Sequence, residues 1–135
     1  MADNSGANDA AVDTLFDSII SGGATVRLLT ADPSKSDTSD DLSTYEVSKG
    51  GYSAVTVAED DWNVTKDGSF STPDTISNAN ELNFGTATED WGTVTATVID
   101  SGNGQFLLDN DDVGDVPEGI EVTISAGGLT YEHGP

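Results

Sequence analysis

Between Thr93 and Ile99 the chain alternates: Thr93, Thr95 and Thr97 point one way, and Val94, Ala96 and Val98 point the other. Successive side chains of an extended strand leave opposite faces, so this period of two predicts a half-buried β-strand. Asp100-Ser101-Gly102-Asn103-Gly104 follows, and glycine and asparagine tolerate the backbone angles of a tight turn. Gln105 to Asp109 then returns, with Phe106 and Leu108 on one face and Leu107 on the other. The stretch predicts a β-hairpin. Just before it, Leu82 and Phe84 close an apolar segment, and Thr86 to Gly92 form a polar corner that holds Trp91.

The remaining segments fit around this hairpin. Val12, Leu15, Phe16, Ile19 and Ile20 recur at helical spacing and predict one amphipathic helix over 9–21. Asn8 or Asp9 can cap it, and Gly22-Gly23 stops it. Its apolar face reads either as packing on its own domain or, through Val12, Leu15, Phe16 and Ile19, as a contact with a neighbouring subunit. Ala24 to Thr30, Tyr45 to Val47 with Tyr52 to Ala58, and Leu129 to Glu132 read as strands. Gly119 to Ser125 does too, with Ile120, Val122 and Ile124 turned inward. Phe70 to Ser77 reads as an edge strand because Pro73 lacks a ladder donor, with Lys66-Asp67-Gly68 as the turn before it. Asp32 to Thr44 and Asn110 to Pro117 read as acidic loops, the first suited to an exposed tip or a subunit contact. One helix followed by about seven or eight short strands predicts a mainly β chain, an antiparallel β-sandwich of Ig-like or jelly-roll-like type. The expected organisation is a flexible segment at 1–8, a single domain at 9–135 and a terminal tail from His133.

Charge narrows the function classes. The chain has 25 acidic residues against four basic ones, a formal net charge of −21. Such a field repels phosphate backbones, so no nucleic-acid partner is expected. Strong acidity in a foldable sequence fits adaptation to molar salt, where screening shortens to about 3 Å. No apolar run is long enough to span a membrane, and the first ten residues lack the pattern of a secretory signal. Cysteine is absent, which removes disulfides and thiolate metal sites.

Few residues suggest chemistry. Asp109, Asp111 and Asp112 stand before Gly114 in a spacing that suits a loose Ca²⁺ or Mg²⁺ site, although Ile120 occupies the place of an EF-hand's closing glutamate. No other cofactor is expected. Asp40-Asp41 and Asp60-Asp61 are weaker pairs of the kind an acid-rich chain contains anyway. Arg27 is the single arginine and suits an ion pair. His133 is the single histidine, so no histidine triad can form within one chain. Asn63-Val64-Thr65 matches a glycosylation sequon. Trp62 and Trp91 read as corner packing, with sugar stacking as the alternative. No catalytic centre is visible, and the chain is expected not to be an enzyme.

The run F-G-x-A-T-x-D-W-G-T-V-T from Phe84 to Thr95, with the hairpin after it, resembles a family of small structural proteins of tailed viruses that infect bacteria and haloarchaea. The resemblance is densest over Asn83 to Leu108 and extends more weakly to the N-terminal helix and to Glu121–Tyr131. Members are labelled tail fibre proteins or capsid turrets. The resemblance implies a virion structural protein, most simply a turret or surface-decoration protein adapted to high salt. Such a protein would form a closed trimeric or pentameric ring and contact the major capsid protein or other virion proteins. The alternative is a tail-associated or receptor-binding protein that meets a host surface glycan. A third reading is a calcium- or sugar-binding surface domain.

Overall fold

The computed structural model describes residues 8–65, 74–109 and 113–133. The Lys66-Asp67-Gly68 turn, Phe70, Asp111, Asp112 and most of the 1–8 segment lie outside these residues.

Helix α1 spans Asp9–Ile20. Asn8 caps it, its Oδ1 accepting from the amide of Ala11 at 3.0 Å. This satisfies one of the donors left open in the first turn. The helix ends one residue short of the expected limit, with glycines at positive φ at positions 22 and 23. Val12, Phe16, Ile19 and Ile20 are buried in the main core, and Leu15 packs half-exposed at its margin. Each buried side chain contributes roughly 1.5–3 kcal/mol relative to exposure. The apolar face is therefore packed on the chain's own sheets. For Val12 and Phe16, enclosed in the core, this leaves no surface for a neighbour, whereas Ile19 also borders the groove described below.

Eleven strands follow among the described residues: β1 Ala24–Leu29, β2 Val55–Val57, β3 Trp62–Thr65, β4 Asp74–Asn78, β5 Leu82–Thr86, β6 Gly92–Val94, β7 Ala96–Asp100, β8 Phe106–Asp109, β9 Gly114–Val116, β10 Glu121–Ile124 and β11 Thr130–His133. They form a four-stranded sheet β2-β1-β7-β8, a three-stranded sheet β11-β4-β3, and the pairs β10-β5 and β6-β9. Every pairing is antiparallel. One apolar cluster joins α1 to residues of all four sheets. The architecture is mainly β and sandwich-like, as the spacing of short strands predicts.

The β7–β8 hairpin is present, with Ile99 opposite Leu107 and Asp100 opposite Phe106. Its first strand differs from the expectation. The alternating run is two strands, broken at Thr95, whose amide donates to the carbonyl of Leu29 at 2.9 Å. The break sends β6 to pair with β9 and β7 to lie between β1 and β8. Val94 thereby enters the main core, whereas Ala96 and Val98 pack with Leu29 and Leu42 in a second cluster. All five residues of β7 are buried. Its alternation separates two covered faces, not a wet face from a dry one.

Other expectations need correction. The 32–44 segment folds into a short 3₁₀ helix, Ser39–Thr44, that seats Leu42 under the sheet. The segment from Tyr45 to Val47 makes a single bridge, Leu29 to Glu46, because the chain touches the sheet and leaves it again. The strand at 52–58 shortens to β2. Far from being an edge, β4 lies between β3 and β11; Pro73, on which the edge reading rested, lies outside the described residues. Within the acidic loop after the hairpin, β9 buries Val116. Ile120 is 46% exposed because β10 begins only at Glu121. His133 belongs to β11, opposite Asp74, and stacks on Tyr131.

Candidate functional site

The shared motif around Trp91 is a packing corner. Phe84, Ala87, Trp91 and Val94 are buried. Trp91 Nε1 donates to the carbonyl of Gly50 at 2.9 Å, and its ring meets Tyr52 edge-on at a centroid distance of 5.5 Å. Asp90 Oδ1 accepts from the amide of Gly92, and Thr93 donates to Asp115 across the β6–β9 pair. Gly85 and Gly51 both adopt positive φ, and a Cβ built on Gly85 would collide with the carbonyl of Gly51. Only glycine permits that approach of two backbones. Trp62, the other tryptophan, is also buried. Neither indole offers a face to a sugar, so the sugar-stacking reading of both is set aside.

A polar network lies beside the second cluster. Arg27 on β1 pairs with Asp100 on β7 at 3.0 Å and with Glu46 at 3.3 Å. Ser39 Oγ donates to Asp100 at 2.6 Å, and the amide of Gly102 donates to the same carboxylate. Asp100 is 3% exposed. Burial alone would raise its pKa, but the hydrogen bonds from Ser39, Gly102 and Arg27 outweigh it and hold the carboxyl below its ordinary value. Tyr52 donates to Glu46 at 2.5 Å and accepts from the amide of Leu28. Burial, then the bond to Glu46, pushes its hydroxyl well above the ordinary value, so it remains a donor. The network ties the 3₁₀ segment to the central strands. The lone arginine signalled it in the sequence. Its partners, 19 and 73 positions away in the chain, are brought together only by the topology.

A groove of about 520 Å³ is walled by α1, the segment after Pro33 and β8, with Leu15, Ile19, Lys35, Phe106, Leu108 and Tyr131 in its lining. Of the four helix residues read as contacts, Leu15 and Ile19 reach it, while Val12 and Phe16 remain in the core. Asp109 closes β8 next to the groove, but its two expected metal-binding companions fall outside the described residues. Among the described residues, no three carboxylate or imidazole side chains gather in a way that would hold a metal ion. No helix there is long and apolar enough to cross a membrane.

A family model described as podophage GP4 fiber I protein gp80 matches residues 17–131, a span that reaches from α1 into β11. The chain belongs to that family. Membership makes it a phage fibre-type virion structural protein and agrees with the resemblance read from the motif at Phe84 to Thr95. No curated protein and no solved structure matched the chain. The corner that carries the motif lies inside the family match.

Proposed function

We propose that this protein is a tail-associated structural subunit of a tailed virus, without catalytic activity, held in the particle by other virion proteins. The family match over 17–131 carries the reading. Its description names a fibre, which supports the tail-associated alternative better than a capsid turret. The fold supports a scaffold role: the Gly51–Gly85 contact and the Arg27 network serve internal packing. Host attachment would then depend on the exposed loops and the groove, since both tryptophans are enclosed.

Electron cryo-microscopy of intact particles tests this directly. Density for the domain on the tail is the expected result. Density at capsomer centres, in many copies, would overturn the assignment in favour of the turret. Absence from purified particles would discard the tail role and return attention to the calcium- or sugar-binding reading.

A further inference from the structure

Asn103-Gly104 is the one Asn-Gly step in the chain, and it lies in the turn of the β7–β8 hairpin. The dipeptide carries its own reagents, because glycine has no side chain to shield its amide nitrogen from the carboxamide before it. Asn103 is exposed, and among the described residues its carboxamide has no hydrogen-bond partner. The space where a Cβ on Gly104 would stand is open. Electrophile, nucleophile and water therefore meet at this turn.

Three side-chain oxygens hold the reacting groups still. The amide of Gly102 donates to Asp100 Oδ1 at 2.9 Å, that of Asn103 to Ser101 Oγ at 3.0 Å, and that of Gly104 to Ser39 Oγ at 3.0 Å. Ser39 comes from the 3₁₀ helix, 65 positions away in the chain. Its own proton is given to Asp100 at 2.6 Å, so its oxygen presents lone pairs to Gly104. Ring closure requires the Gly104 nitrogen to lose its proton and turn toward Asn103 Cγ. Either movement breaks the bond to Ser39.

We propose that Asn103 is a self-modification site, converting slowly to aspartate and isoaspartate, and that Ser39 sets the rate by holding the Gly104 amide. The deprotonated Gly104 nitrogen bonds to Asn103 Cγ, the Cγ–Nδ2 bond breaks, and ammonia leaves with a proton returned by solvent. Water then opens the cyclic succinimide. Attack at Cγ gives aspartate, and attack at the main-chain carbonyl carbon gives isoaspartate, whose backbone is longer by the β-carbon. Nothing is oxidised or reduced. Either product adds a carboxylate to a turn that already holds Asp100. Isoaspartate also lengthens the turn ahead of residues 104–108, which line the groove. The site is independent of the tail assignment.

Peptide mapping by mass spectrometry tests this on the full chain, incubated at mildly alkaline pH. The folded native chain should convert at Asn103 at least about tenfold more slowly than the same chain unfolded in guanidinium, because the turn must first open locally. Ser39→Ala should speed the folded chain by about fivefold, the kinetic weight of one hydrogen bond, with an unchanged circular dichroism spectrum. Asn78→Ala alters a buried side chain in another sheet and should leave the rate near that of the native chain. Asn103→Gln should remove the reaction at this position. Conversion as fast in the folded chain as in guanidinium overturns the proposal, and that comparison needs no variant. So does Ser39→Ala reacting no faster than the native chain, or Asn78→Ala being accelerated as much as Ser39→Ala. An Asn103 that stays intact even in guanidinium also overturns it.

Discussion

Asn78 shows no sign of importance in the sequence, yet it is completely buried and joins three segments. Its side-chain amide donates to the carbonyls of Asn80 and Ser125, and its Oδ1 accepts from the amide of Leu129. Replacement by alanine strands one backbone donor and two acceptors. Asn78→Ala should cost about 3 kcal/mol, since each buried unsatisfied group costs roughly 1–3 kcal/mol. Urea denaturation would measure it, and a loss under 1 kcal/mol would mean that water replaces the amide. Asp100 gives a second test, in pH. Its folded pKa is lowered from the ordinary 3.8, so the stability it supplies is fully present above that value and is lost as pH falls through the folded pKa. Asp100→Asn should therefore destabilise by about 2 kcal/mol near neutrality. The gap from the native chain should close below about pH 3.8. Comparing the two proteins at each pH cancels the general relief of repulsion as the other acids protonate. A gap that stays constant down to pH 2 would mean that the carboxylate charge has no part in it.

At the level of elements, α1 and the β7–β8 hairpin were legible because their signals are local. Helical spacing of Val12, Phe16 and Ile19 and a glycine-rich turn at 100–104 each determine a shape without distant contacts. The split at Thr95 was not legible, since an alternating run looks the same whether it serves one sheet or two. The groove was equally hidden: its walls come from residues near 15, 35 and 106, which no periodicity relates. The 32–44 segment failed for another reason. Its single apolar anchor, Leu42, sits in a run of serine, threonine and aspartate, where composition suggests solvated loop. Leu42→Ala decides between the two descriptions. At 1% exposure it should lose about 2–4 kcal/mol, measured by chemical denaturation, whereas a surface loop position would stay within about 0.5 kcal/mol.

For the whole molecule, charge is the dominant variable. Most acidic side chains among the described residues are exposed, and Asp100 is the one that is fully enclosed. Repulsion among the exposed carboxylates opposes folding and is screened by salt. Thermal unfolding should therefore shift upward between dilute buffer and molar KCl, by roughly 5 °C for each kcal/mol of repulsion removed. Differential scanning calorimetry at fixed protein concentration would show it. A transition that does not move with salt would remove the case for a salt-adapted chain.

The meeting of Gly51 and Gly85 has a consequence for descent. The two residues come from distant parts of the chain; a Cβ on Gly85 would meet the carbonyl of Gly51, and a Cβ on Gly51 would meet the carbonyl of Thr86, the residue after Gly85. Neither position can drift alone. A lineage that gains a Cβ at either position must first separate the same two backbone segments, so the pair should be inherited together or lost together. Relatives that have diverged almost everywhere else should still betray their kinship at these two points.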